Sequence, residues 1–267
     1  MILTFGFSSL GCPELSLEAV LDLAEERGIG AVELRALSGT TDLPRLFEST
    51  YGSPKELGSR VRGRKAAVVA LGTSLRLMDC QEAEQRTLLD YAPWAEALGA
   101  RRLRVFDGGS TMDSNELRQA AEVLNWWQSI RARAGWSVDL MVETHDSLVT
   151  TAAISRFIDA VPRAAILWDS HHTWKKGSED PVSTWRRIHD RVCHIHVKDS
   201  GPLSSDGLPY TYVVPGTGQF PFPELAHELR ASGFSGTVCL EWERLWHPDL
   251  PPLPEALDSA RRHGWIE

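Results

Sequence analysis

Four residues that could bind a metal ion or move a proton stand at the ends of apolar segments in the second half of the chain. Three carboxylates brought together repel one another, and a divalent cation removes that cost. Three oxygen ligands and one imidazole suit Mn²⁺, Mg²⁺ or Co²⁺. Zn²⁺ is the less favoured alternative, because it usually prefers more nitrogen or sulfur ligands. We therefore predict one bound divalent metal ion. The four residues are Glu143, Asp169, His196 and Glu241.

The segment HIHVKDS contains two histidines that compete for one of these four positions. His194, His196 and Lys198 alternate with apolar residues, so all three share one face of a strand. His196 lies nearer the end of that strand and is the predicted ligand. His194 is predicted one layer deeper, beneath the metal or bonded to a carboxylate.

The elements that carry these residues alternate between short apolar strands and longer helical patterns, eight times along the chain. Ser16 is a predicted N-cap, and Gly28 follows the end of the first helix. Repeated strand–helix units imply parallel strands, and eight units in this length predict a (β/α)₈ TIM barrel of the α/β class, a single domain over 1–267. A doubly wound sheet is the alternative, but the Gly-rich turn it usually has after its first strand is absent. Helix placement in the polar segment 41–64 stays open.

The predicted fold places the four candidate ligands where a functional site is expected, because a TIM barrel carries its functional residues at the C-terminal ends of its strands. Three of them recur at nearly equal intervals, which places them at equal height on neighbouring strands. The interval before Glu241 is longer because the segment GPLSSDGLPYTYVVPGTGQ follows the seventh strand.

Composition excludes several classes of partner. The chain has 267 residues, a net charge of −8 and 42% hydrophobic residues. An acidic protein repels phosphate backbones, so no nucleic-acid partner is expected. Neither a signal peptide nor an apolar run long enough to span a membrane is recognisable, and the four cysteines have no CxxC spacing. We expect a cytoplasmic protein with no membrane partner.

Short motifs in this chain resemble those of the xylose isomerase-like TIM barrels, the sugar phosphate isomerase/epimerase superfamily that includes AP endonuclease family 2. The resemblance covers almost the whole chain and is weakest in 41–64. It implies the same barrel fold. Barrels of this family often associate, so a homo-oligomer is an open expectation. The motifs are, in chain order, VELR, VETH, WDSHH, HIHVKD, PGTG and LEWE.

The resemblance also implies roles for particular residues. In such enzymes the glutamate of the fifth strand, the aspartate of the sixth, the second histidine of HxHxKD and the glutamate of the eighth bind the metal. These positions are Glu143, Asp169, His196 and Glu241 here. A DxxH motif at the sixth strand usually adds a histidine that binds substrate, which is His172 in this chain.

Other residues near the strand ends are further candidates. Glu33 is predicted to hydrogen-bond the substrate, and His145 to contact it. Lys198 is predicted to meet a phosphate or hydroxyl groups, or else to form an ion pair at the rim. Glu243 is two residues after Glu241, so its side chain would point to the same side of the eighth strand, and it is the alternative ligand there.

The predicted function is that of a divalent-metal-dependent isomerase or epimerase. Its substrate would be a small sugar, sugar phosphate or related polyhydroxy carbonyl compound. Glu143 and Glu241 would move a proton next to the carbonyl, through an enediolate that the cation stabilises. The alternative is a dehydratase of the inosose or dehydroshikimate type, which shares the first step. An abasic-site endonuclease and a non-catalytic binding barrel are less favoured, the first because it needs further histidines and a basic groove.

Overall fold

The structure, a computed structural model, describes residues 3–202 and 209–266. Eight parallel strands close into a barrel in the order β1-β10-β7-β6-β5-β4-β3-β2, so the predicted (β/α)₈ barrel is confirmed. Part of the insertion predicted after the seventh strand, 203–208, lies outside the described residues. The barrel strands are β1 (Thr4–Ser8), β2 (Ala31–Leu34), β3 (Ala67–Arg76), β4 (Arg102–Phe106), β5 (Asp139–Glu143), β6 (Ile166–Asp169), β7 (Val192–Val197) and β10 (Thr237–Leu240).

Helices cover the outside of the barrel and connect its strands. The N-caps include Ser16, whose hydroxyl accepts a hydrogen bond from the amide of Ala19 as the sequence predicts. The helices are α1 (Leu17–Glu26), α2 (Leu43–Tyr51), α3 (Pro54–Val61), α4 (Glu82–Gln85), α5 (Thr87–Leu98), α6 (Ser114–Ala134), α7 (Thr151–Ala160), α8 (Ser170–Lys175), α9 (Pro181–Ile188), α10 (Phe222–Ala231) and α11 (Leu253–Arg262). None of the helices in the described residues is both long enough and apolar enough to cross a bilayer.

The segment 41–64, where the sequence left the helix unplaced, contains the two short helices α2 and α3. Asp42 caps the first and Ser53 the second, and each helix has a proline in its first turn. Gly52, with φ +75°, ends α2 and allows the chain to start α3 at once. The segment therefore lacks one long helical pattern of apolar residues because it forms two short helices, each with its own N-cap.

The interior of the barrel is layered. Ala70, Met141 and Leu167 form a small apolar cluster that is fully buried inside the barrel. Because side chains alternate along a strand, the next inward positions after Met141 and Leu167 are Glu143 and Asp169. The polar site therefore lies directly above an apolar layer that closes the barrel below it.

A two-stranded antiparallel hairpin, β8 (Asp199–Gly201) with β9 (Thr211–Val213), follows β7. The carboxylate of Asp199 accepts hydrogen bonds from the backbone amides of Ser200, Gly216, Gly218 and Phe220, at 2.8–3.0 Å. A Cβ at Gly218 would lie 2.2 Å from Asp199 Oδ1. The PGTG motif therefore forms a loop that wraps closely around one buried carboxylate.

Replacing Asp199 with Asn is expected to lower the free energy of unfolding by about 2 kcal/mol or more, since an amide nitrogen cannot accept the amide hydrogens that one carboxylate oxygen accepts now. Urea unfolding followed by circular dichroism measures the change. Asp190→Asn is the control, because its side chain is 89% exposed. Equal unfolding midpoints for the two variants would show that this carboxylate does not hold the loop.

Candidate functional site

The four predicted metal ligands converge at the C-terminal end of the barrel. Glu143 ends β5, Asp169 ends β6, His196 lies in β7 and Glu241 follows β10 directly. Each offers one ligand atom, and these atoms all lie within 4.8 Å of one another. His196 Nδ1 is 3.3 Å from Glu241 Oε1 and 3.7 Å from Glu143 Oε1. The structure brings the four residues together, and their role as ligands stays a prediction.

Three atoms of this cluster have no hydrogen-bond partner of normal geometry among the described residues, although all are buried. They are Glu143 Oε2, Asp169 Oδ2 and His196 Nδ1. Buried polar atoms are normally satisfied. Two of these three lie beside a cation, because Arg104 Nε is 3.1 Å from Glu143 Oε2 and Lys198 Nζ is 2.9 Å from Asp169 Oδ2, whereas His196 Nδ1 lies beside two carboxylates. Carboxylate oxygens and an imidazole nitrogen that face one another fit the donor set of a divalent cation.

Glu33 lies beneath this cluster and is fully buried. Its Oε2 is 2.9 Å from His196 Nε2 and 3.1 Å from His194 Nε2. Glu33 thus contacts the nitrogen of His196 that faces away from Glu143 and Glu241. Its contact with substrate stays a prediction, whereas its position fits a carboxylate that orients the imidazole. His194 occupies the deeper layer that the sequence predicts for it.

Lys198 is buried within the site, with 1% of its side chain exposed, rather than at the rim. Its Nζ lies 2.9 Å from Asp169 Oδ2 and 2.5 Å from both Glu241 Oε2 and Glu243 Oε1. Burial alone would lower the pKa of Lys198, but these three carboxylates raise it well above its ordinary value. Lys198 is therefore an ammonium ion that neutralises part of the acidic cluster.

Glu243, the alternative to Glu241, contacts a different set of atoms. Its Oε1 accepts hydrogen bonds from Lys198 Nζ and, at 3.0 Å, from the hydroxyl of Tyr212 on β9. Glu241 lies beside His196, and Glu243 lies beside the hairpin. This geometry favours Glu241 as the ligand, as the family position does.

Arg104 on β4 belongs to the site and was missed by sequence reasoning. Its Nε lies 3.1 Å from Glu143 Oε2, and both side chains are buried. Burial by itself would raise the pKa of Glu143, but the Arg104 guanidinium and His196 together outweigh it, and the pKa lies below its ordinary value. The available signal was an arginine alternating with apolar residues in the strand RLRVF.

Glu241 is also ionised at neutral pH. Burial would raise its pKa, but His196 and then Lys198 hold it well below the usual range. Both candidate catalytic glutamates are therefore carboxylates that can accept a proton.

The two predicted substrate histidines lie side by side at the mouth. Their rings are 4.9 Å apart in an edge-on arrangement. His172 is buried, and its Nδ1 lies 3.0 Å from the carbonyl oxygen of Thr144. Burial and then Lys198 lower the pKa of His172 well below its ordinary value, so it is neutral. His145 is partly exposed and its Nδ1 lies 2.9 Å from Asp146 Oδ1. Contact of either histidine with substrate stays a prediction.

The chain belongs to the xylose isomerase-like TIM barrel family, whose model matches residues 21–263. The resemblance identified from the motifs is thereby confirmed. Among curated proteins it is 29% identical over 109 residues to inosose dehydratase from Lacticaseibacillus casei, a match that covers 36% of each chain. The match therefore spans about a third of that relative's length.

Solved structures of similar fold include enzymes of two reaction types. A probable 3-DHS dehydratase from Bacillus anthracis, AsbF, superimposes with a TM-score of 0.76 at 16% identity, covering 97% of this chain and 99% of its own. The IOLI protein with a bound zinc atom has a TM-score of 0.74 at 16% identity, with coverages of 98% and 96%. D-psicose 3-epimerase from Clostridium cellulolyticum H10, solved with D-tagatose, has a TM-score of 0.74 at 13% identity, covering 99% of both chains. At these identities the likeness shows the shared fold.

Proposed function

We propose that this protein is a metal-dependent enzyme that removes a proton from the carbon next to the carbonyl of a small polyhydroxy compound and returns it, giving an isomer or epimer. One observation carries the proposal. Two ionised glutamates, Glu143 and Glu241, approach His196 from strands that are not neighbours in the barrel. A carboxylate on either side of one reacting carbon can take a proton from one face and deliver it to another.

Glu143, Asp169, His196 and Glu241 would hold the divalent cation. When bound, the cation supplies Lewis-acid polarisation of the substrate oxygens. The chain's own residues do the rest. Lys198 and Arg104 hold Glu241 and Glu143 in place by ion pairs. Both glutamates are buried, which strengthens their electrostatic interactions with a bound substrate.

Dehydration is the second candidate outcome, and the similarity to inosose dehydratase favours it. It shares proton removal with the first candidate and differs in the second step, because a hydroxyl group leaves from the neighbouring carbon instead of the proton returning.

Incubation with Mn²⁺ in D₂O tests the proposal against a panel of ketoses, ketose phosphates and cyclic polyhydroxy ketones. The expected result is deuterium at the carbon next to the carbonyl, detected by NMR and abolished by EDTA. A second sugar would assign isomerisation or epimerisation, and a new conjugated absorbance would assign dehydration. If no compound shows exchange or product, the non-catalytic binding barrel becomes the better account.

Glu33→Gln is expected to weaken Mn²⁺ binding by about 10–100-fold, in line with other carboxylates that orient a ligating histidine. Gln offers one acceptor oxygen, while two imidazole nitrogens now face one carboxylate oxygen. Calorimetric titration with MnCl₂ measures the affinity without any substrate. Glu26→Gln, an exposed residue near the end of α1, is the control. An unchanged affinity in Glu33→Gln would remove this role.

A further inference from the structure

Arg35 occupies the mouth of the barrel on the side of the early strands. Glu33 on β2 faces the barrel interior, and Arg35 is the next residue of the same parity towards the mouth. Its side chain is close enough to Glu143 and Glu241 for their charges to act on its pKa. Only 5% of Arg35 is exposed. A charged group is therefore buried next to the proposed reaction site.

This cation has no acidic partner within the part of the chain that the structure describes. Arg35 Nη2 donates a hydrogen bond to Ser74 Oγ at 2.9 Å, whereas Nη1 is buried without a hydrogen-bond partner among the described residues. Among the described residues no carboxylate lies within 4.0 Å of the Arg35 guanidinium, whereas one lies that close to Arg104 and three to Lys198. A buried charge without compensation is costly, and such costs are typical of functional sites.

A second arginine side chain, that of Arg104, lies close to Arg35. A Cβ at Gly72 of β3 would lie 2.7 Å from Arg35 Cδ and 2.9 Å from Arg104 Nη2, so both side chains cross the strand where it has no side chain. Burial, and then the charge of Arg104, lower the pKa of Arg35 to about 10, which still leaves it charged at neutral pH. Ser74 is exposed, so the edge of the guanidinium bonded to it borders the mouth.

From this geometry we propose that Arg35 binds an anionic group of the substrate, a carboxylate or a phosphate, and so selects acidic polyhydroxy compounds. The inference rests on the proposed function, because it concerns the substrate of the same site. A guanidinium presents paired N–H donors that match both anions, and a ligand anion would satisfy the free Nη1 and compensate the charge. It would also offset the repulsion between the charges of Arg35 and Arg104.

Three ligands with a polyhydroxylated six-membered ring test the proposal by calorimetric titration of the full chain, with and without Mn²⁺. Quinate carries a carboxylate, myo-inositol 1-phosphate carries a phosphate, and myo-inositol is neutral. At least one anionic ligand is expected to bind about tenfold or more tightly than myo-inositol, as a charge-assisted hydrogen bond implies. The anionic ligand that binds more tightly shows whether the site prefers a carboxylate or a phosphate.

Arg35→Met should remove this preference, because it keeps the length of the side chain but not its charge. Arg101→Met is the matched control, since Arg101 is exposed just before β4, at the opposite end of the barrel. Arg35→Lys keeps a charge without the paired donors and should retain part of the preference. Equal affinity for all three ligands, absence of binding by either anion, or a preference that survives in Arg35→Met would each overturn the inference.

Melting temperatures separate this binding role from a structural one. Arg35→Met should melt at the same temperature as the parent or higher, because it removes an uncompensated buried charge. A lower melting temperature with an intact anion preference would make Arg35 structural.

Proton exchange in D₂O, measured with neutral and acidic ketones, separates this inference from the proposed function. Exchange only with neutral ketones would support the function and overturn the role of Arg35. Preference for an anion without any exchange would support Arg35 and overturn the chemistry.

Discussion

Glu241→Gln will lower kcat by about 100-fold or more, the usual contribution of a general acid or base. Gln retains an oxygen that can coordinate a metal ion, but it cannot accept a proton at neutral pH. The metal content should therefore fall far less than the turnover. Exchange of the substrate proton in D₂O, followed by NMR, gives kcat, and elemental analysis gives the metal bound to each protein molecule.

Glu243→Gln is the matched control for this experiment. Both glutamates contact Lys198, and both variants lose one negative charge, but only Glu241 lies beside His196. The loss of turnover in Glu243→Gln should be at least tenfold smaller. The opposite order, with Glu241→Gln still active, would move the proton transfer to Glu243.

Lys198→Met will destabilise the metal-free protein by about 3–5 kcal/mol at neutral pH, because removing one partner of a buried ion pair leaves the other charge uncompensated. Three carboxylates, those of Asp169, Glu241 and Glu243, lose their ammonium partner at once. Unfolding in urea without metal measures the change. Lys55→Met, at an exposed position in α3, should have little effect.

The free energy of unfolding of Lys198→Met should increase as the pH falls. Without the ammonium, the pKa values of the buried carboxyls in the folded state should lie above their unfolded values. Such a group binds more protons when folded, so the variant gains stability as pH falls through the folded pKa, and the gain is complete below about pH 4. The parent keeps the contribution of Lys198 throughout this range, because the raised pKa of Lys198 matters only in alkali. The difference in the free energy of unfolding between the parent and Lys198→Met should therefore become smaller from pH 7 to pH 5.

Mn²⁺ adds a second comparison for Lys198→Met. A divalent cation among Asp169, Glu241 and their neighbours would replace the missing positive charge, so Mn²⁺ should stabilise the variant more than the parent. Equal stability of the two proteins without metal at pH 7 would show that the ammonium does not compensate the cluster.

The amino-acid sequence alone is enough to predict the barrel and the strand ends that carry the candidate ligands. Local signals suffice there, because alternation of apolar residues, an N-cap such as Ser16 and the regular return of strand–helix units depend on neighbouring residues. Parallel strands in one barrel then place Glu143, Asp169 and His196 at one end. The segment 41–64 was harder because two short helices meet at Gly52, and neither is long enough to show a clear period.

The pairing of the charges follows from the three-dimensional arrangement of the strands and could not be predicted from the sequence. Arg104 lies against Glu143, Lys198 against Glu241, and Glu33 against His196, and each pair joins residues far apart in the chain. Alternation along a strand indicates which positions share a face, but not how far a side chain extends or which partner it meets. Those contacts depend on the stagger of the strands and on the space left by small residues, as at Gly72, which only the closed barrel defines.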